Sequence, residues 1–203
     1  LPGCEHEVVT FYVRLDGDDD NNGMTPETAK RTFGAGFALL DQPHWVLDIG
    51  PGYFTASTSE ADCPRLQEAG ATIRGAGSAL TTLVLPALEC AHAGLWVSAD
   101  EVTLEGFTLT RNAAQTGLAQ GLMVDAVRET TIRDVTLSEL AMPALSLNGA
   151  IQPTLEAITV TELSTVEGLG AGPFAAVALT NCTSVAGADI TIEDLEGSTG
   201  VTL

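Results

Sequence analysis

The sequence predicts an all-β protein, a right-handed parallel β-helix of about six to seven coils with a capping α-helix at its N-terminal end. Three observations carry that expectation. Two short strand patterns recur in a fixed order. Each alternates apolar with polar or small residues, which gives a strand with one buried face. The recurrences lie 23 to 32 residues apart, the uneven spacing of a solenoid whose loops differ in length.

Taken in chain order, Phe11-Tyr-Val13 reads as the first strand and Asp16 to Gly23 as an acidic turn. Thr25-Pro26 predicts a helix start, with Thr as N-cap and Pro at the first helical position, and Phe33, Phe37 and Leu40 on one face. Residues 1–43 thus form an N-terminal strand, acidic turn and capping helix, and residues 44–203 the β-helix of a single domain. Val46 to Thr55 gives a strand punctuated by Pro51-Gly52, and Ala56 to Gly70 an excursion loop. Ala71 to Gly77 and Thr82 to Leu85 supply the next coil.

The repeat follows. Its first pattern begins at Gly94, Gly121, Ala144, Ala176 and Gly200, and its second at Phe107, Val135, Ile158 and Ile190. Period-2 alternation excludes helical repeats, and a turn of about 23 residues is too long for a left-handed hexapeptide coil. If each strand pairs with its equivalent one coil away, about 4.8 Å along the axis, equivalent side chains stack. The inward columns are then Leu95, Leu122, Leu145, Val177, Val201; Phe107, Val135, Ile158, Ile190; and Leu109, Leu137, Val160, Ile192.

Composition narrows the partners. The 203 residues carry 27 acidic and 8 basic side chains, a formal charge of -19, with 45% hydrophobic residues. That is ample for a core. No apolar run is long enough to span a membrane as a helix. The acidic field repels nucleic acid and anionic membranes, leaving cations, neutral glycans or basic proteins. The chain opens on Leu1 without a signal-like segment, which reads as a processed or trimmed start.

Asp18, Asp20 and Asn22, ahead of Gly23, match the first half of a calcium loop, where alternate oxygens converge on a hard cation. The twelfth position is Ala29 rather than Glu, so a complete EF-hand is excluded and the competing reading is a solvated acidic turn. Ca²⁺ is the one cofactor this allows. His6, His44 and His92 have no metal spacing with the Cys residues. The outward Thr108, Thr136, Thr159 and Thr191 form a ladder of the kind ice-binding solenoids present, although Thr favours strands in any case.

The order Phe11-Tyr-Val13, Asp16-Gly17-Asp18, Asn22-Gly23, Thr25-Pro26, Lys30-Arg31-Thr32-Phe33, Pro51-Gly52-Tyr53 resembles the opening segment of extracellular β-helix proteins of the pectate lyase-like superfamily. The resemblance implies the fold. It does not choose among the lyases, esterases, hydrolases and non-catalytic surface proteins that share it. Gln120 is similar to the Gln that pectin methylesterases place before a strand, ahead of two catalytic Asp residues. Leu140-Ala-Met-Pro143 stands where that family has an Asp-containing segment. Lyases of the superfamily use Lys or Arg as the base. Here the lone Lys30 lies in the N-terminal cap, and no motif marks Arg111, Arg128 or Arg133.

In this superfamily the outer face of the first repeated strand commonly carries the glycan groove. Trp96, Met123, Asp125 and Asn148 are therefore the candidate carbohydrate-binding residues, with Trp96 stacking on a sugar ring. The competing reading is that the loop from Asn112 to Gln120 simply buries Trp96 and Met123. Four Cys in an exported-looking chain predict disulfides rather than zinc. Cys63 and Cys90, in loops of neighbouring coils, are the expected pair, and Cys182 lies beyond their reach, about 14 to 19 Å along the axis.

Gly200 to Leu203 aligns with the start of a further coil. Either the natural protein continues, or another subunit stacks on that coil. The expected function is an extracellular or cell-surface non-catalytic module: scaffold, adhesin or assembling subunit. The alternative is a polysaccharide-active enzyme of lyase or esterase type, or its N-terminal half.

Overall fold

A computed structural model of the chain describes residues 8–55, 64–85, 94–111, 120–163, 175–187, 189–193 and 199–202. The first strand is β1 (Thr10–Val13), which buries Phe11 and Val13. The predicted cap helix is divided in two. Thr25 caps a single 3-10 turn, Pro26–Thr28, in a capping box with Thr28. Ala29 is then extended, and β1 captures Lys30: its N–H donates to the Tyr12 carbonyl and its carbonyl accepts from the Arg14 N–H, both at 2.9 Å. A helix running on from Thr25 would forfeit both bonds. The helix α1 (Phe33–Phe37) starts afresh, with Thr32 accepting from the Ala35 N–H at 3.2 Å, and is only five residues long. Its Gly36 lies against the first coil so closely that a Cβ would stand 2.3 Å from Val13 Cγ2. Phe33 and Leu40 are buried beneath it, and Phe37 is half-buried.

Sheet A runs in the order β1, β2 (Val46–Ile49), β5 (Thr72–Arg74), β8 (Thr103–Arg111), β10 (Thr131–Ser138), β12 (Thr154–Thr161) and β14 (Ile190–Ile192). The strands β3 (Gly52–Thr55) and β6 (Thr81–Leu85) pair alongside, and β6 joins the far half of β8. Sheet B stacks β4 (Arg65–Leu66), β7 (Leu95–Val97), β9 (Gln120–Asp125), β11 (Ala141–Asn148), β13 (Ala175–Thr180) and β15 (Thr199–Thr202). The pairings between these strands are parallel, and the chain crosses from one sheet to the other and back in each coil. This is a right-handed parallel β-helix. The strand β4 lies inside the stretch expected to be an excursion loop. Its Leu66 is 1% exposed and adds an inner rung below Val97, which two residues of sequence give no pattern to reveal.

The columns the repeat predicts are in register from coil to coil. Leu95 pairs with Leu122, Leu122 with Leu145, Leu145 with Val177 and Val177 with Val201. Phe107, Val135, Ile158 and Ile190 are in register, as are Leu109, Leu137, Val160 and Ile192. The rungs from Leu95 to Val177 and from Phe107 to Ile158 are buried, while Ile190 and Ile192 on β14 are only half-buried.

The corners are built from left-handed backbone. His44, Gly70, Glu101, Glu129, Gln152 and Ser184 have φ of 63°, 69°, 61°, 54°, 54° and 56°. Each sits two residues before the aligned Val46, Thr72, Thr103, Thr131, Thr154 and Ala186. At each of the first five the N–H donates to a carbonyl of the next coil at 2.8 to 2.9 Å. Within sheet A, Gly106, Asp134 and Ala157 (φ 71°, 49° and 51°) repeat the device and bend β8, β10 and β12.

Candidate functional site

The outer face of sheet B carries two columns. Arg65, Trp96, Met123, Ser146 and Ala178 are aligned by strand register. Two residues along, Asp125, Asn148 and Thr180 form the second, preceded by Ser98. Alternation puts these side chains outward because their neighbours Val97, Val124 and Leu147 fill the core.

All four predicted carbohydrate-binding residues are on this face. Asn148 Nδ2 donates to Asp125 Oδ1 at 2.9 Å, joining adjacent coils. Trp96 and Met123 are half-buried neighbours in register. Trp96 stands about 8 Å diagonally from Asp125, one coil and two residues away. The loop from 112 to 119 lies outside the described residues, but another residue covers Trp96: the Arg65 guanidinium stacks 4.0 Å from the centre of the indole. Arg65 Nε donates to Ser98 Oγ at 3.0 Å, and that hydroxyl lies 3.2 Å from the Leu66 carbonyl, to which it donates. Sequence reasoning missed Arg65 because it assigned β4 to a loop. Gln120 opens β9, and its side chain lies outside the described residues.

Sheet A carries a different surface. Asp48, Arg74, Glu105, Arg133 and Glu156 are consecutive rungs, alternating in sign. Asp48 is bonded to Arg14 at 2.7 Å and Arg74 at 3.0 Å, and Arg133 pairs with Glu105. Beside this ladder an open groove of about 420 Å³ runs along Gly75, Gly77, Gly106 and Asp134. Asp134 ties down the segment before β6, accepting from the Ser78 N–H at 3.1 Å and hydroxyl at 2.6 Å. These charges largely neutralise one another. The aligned period, with Glu105, Arg133 and Glu156 each two residues before an inward rung, held the signal for this ladder. The threonine column is in register from Thr82 through Thr108, Thr136 and Thr159 to Thr191, with the Thr108 hydroxyl donating to the Ser78 carbonyl at 2.7 Å.

In the acidic turn, Asp18 Oδ1 accepts from the Asp20 N–H at 3.0 Å, and Asn22 Oδ1 accepts from the Met24 N–H at 3.0 Å and the Thr28 hydroxyl at 2.8 Å. Asp20 is exposed. Among the described residues no three His, Cys, Asp or Glu side chains are grouped to hold a metal. Asp19, the residue between the expected ligands, anchors the turn. It accepts from the Arg31 and Thr32 N–H groups at 2.9 and 2.8 Å and from the Thr32 hydroxyl at 2.9 Å. Burial pushes the Asp19 carboxyl up, but the Thr32 and Arg31 bonds and the charge of Lys30 outweigh it and hold the pKa below its ordinary value. Cys63 and Cys90 lie outside the described residues. Cys182 has a free thiol, half-buried and 3.5 Å from the Leu147 and Thr180 carbonyls.

No protein-family model matches the chain. No curated protein matches it. In three dimensions it is similar to a solved structure of a pectin methylesterase mutant in complex with a hexasaccharide, at 9% sequence identity and a TM-score of 0.51. The likeness covers 88% of this chain, which spans 66% of that protein's length. At that identity it speaks for the fold.

Proposed function

We propose that this protein is a non-catalytic, extracellular β-helix module that holds a glycan against the outer face of sheet B. The observation that carries the reading is the Asp125–Asn148 pair, bonded at 2.9 Å across two coils and standing beside Trp96. A carboxylate and an amide fixed by each other offer acceptors and donors to vicinal hydroxyls, and an indole offers the apolar face that pyranose C–H groups prefer. The likeness to a pectin methylesterase bound to a hexasaccharide favours a glycan over other ligands and an extracellular setting.

The chemistry of the face favours binding without turnover. Among the described residues of its two outward columns Asp125 is the lone carboxylate, hydrogen-bonded to an amide rather than to a second acid. An esterase of the two-Asp kind needs a second carboxylate alongside. The test is calorimetric titration with pectic and neutral oligosaccharides, together with assays for released methanol and new reducing or unsaturated ends. Binding without product is expected, with the Asp125→Ala, Asn148→Ala double variant at least about tenfold weaker, since two hydrogen bonds are lost. Turnover would sink the non-catalytic reading, and absence of binding to every oligosaccharide would sink the glycan.

A further inference from the structure

Arg65 is an arginine prepared for an anion that the described protein does not supply. Three contacts fix its plane: the Trp96 ring at 4.0 Å, the bond from Nε to Ser98 Oγ at 3.0 Å, and the bond of that hydroxyl to the Leu66 carbonyl at 3.2 Å. The buried indole Nε1 has no hydrogen-bond partner among the described residues, and the Arg65 stack is the contact seen on the ring. Among the described residues no carboxylate pairs with Arg65. Arg14 and Arg74, by contrast, are both held by Asp48, and Arg133 by Glu105. The exposed Arg31 and Arg128 also lack an acid partner among the described residues, but Arg65 differs in being held in place by a ring and a side-chain hydrogen bond.

We infer that Arg65 docks the carboxylate of a uronic acid unit in the glycan bound to sheet B, an inference that rests on the glycan reading above. With Nε committed to Ser98, the two terminal nitrogens remain as a fork. That fork matches a carboxylate through two parallel N–H···O bonds, and a plane already fixed by stacking loses little entropy on binding. Trp96, Asp125 and Asn148 extend from it along the same face, so one sugar's carboxylate sits on Arg65 while its neighbours run over the next coils. The net charge of -19 opposes a long polyanion, which favours a glycan carrying free carboxylates at intervals and esterified or neutral sugars between them.

The experiment compares trigalacturonate, its full methyl ester and a hexaglutamate peptide by calorimetric titration against wild type, Arg65→Gln and Arg65→Lys, with thermal unfolding as a check that each variant folds. Wild type should prefer the acid over the ester by about tenfold, the worth of one bidentate charged pair. Arg65→Gln should bring that ratio to about one, and Arg65→Lys, which keeps the charge but loses the fork, should retain only part of it. A preference that survives in Arg65→Gln, or no preference in wild type, overturns the carboxylate assignment and leaves the glycan reading standing. Hexaglutamate binding as tightly as trigalacturonate through Arg65 overturns the assignment to a sugar. Binding of neither sugar overturns the glycan reading itself, and this inference with it.

Discussion

Asp19 shows how far one carboxylate can organise a segment. Its three hydrogen bonds tie the acidic turn to the residues that launch α1, and its neighbour Lys30 is stitched to the same residue through the Asp19 carbonyl at 2.6 Å. Because the folded pKa is lowered, its contribution is complete above the unfolded value, about 3.9, and is lost as pH falls through the lower folded value. Asp19→Ala should therefore flatten the fall of melting temperature with acidity below about pH 4, while lowering stability at neutral pH. Curves that stay parallel down to acid pH would show that Asp19 is not part of the cap's acid response. The sequence placed its emphasis on Asp18, Asp20 and Asn22, the alternate positions of a cation loop. Asp19, the position between them, receives the N–H groups of Arg31 and Thr32.

At the scale of elements, the strands were legible and the corners were not. Leu, Val and Ile at every second position announce an inner face wherever they occur. Glu101, Glu129, Gln152 and Ser184 announce nothing, yet all take left-handed backbone, because stacking one coil on the next forces each corner to copy the one below. That conformation costs L-residues about 1 to 2 kcal/mol, and glycine escapes the cost. Gln152→Gly should thus stabilise by about 0.5 to 1 kcal/mol once the entropy of glycine is subtracted. Gly70→Ala should destabilise by about 2 kcal/mol or more, since its φ is 69° and a Cβ would stand 2.1 Å from His44 Nδ1. Urea unfolding of the pair measures both; the opposite signs would mean that the corners do not govern the stability of the coil. The missed β4 and the divided cap helix belong to the same scale. Leu66 becomes a core rung only because β7 lies beside it, and Lys30 leaves the helix only because β1 takes its backbone groups.

For the molecule as a whole, charge is the dominant long-range term. The Asp48 to Glu156 ladder is nearly balanced, so the excess that makes up the -19 lies mainly on other surfaces, where acids repel one another. Exposed ion pairs such as Arg133 with Glu105 contribute at most about 1 kcal/mol each. Mutual repulsion summed over many acids should exceed their attraction. Raising NaCl from about 10 mM to about 1 M shortens the screening length from about 30 Å to about 3 Å and should raise the melting temperature by several degrees. A fall on adding salt would mean that the ladder outweighs the repulsion.

The sequence by itself determined the repeat, the parallel winding and the identity of the inner columns, because apolar alternation is local and equivalent rungs bury the same surface in every coil. It also marked Trp96, Met123, Asp125 and Asn148 as one face. Tertiary structure alone decided that Arg65 lies on Trp96, that Asp134 holds Ser78, and that ordinary polar residues turn the corners. Those contacts join residues 31 and 56 positions apart in the first two cases. Their partners are fixed by the length of the intervening connections and the register they impose, and no local pattern encodes either.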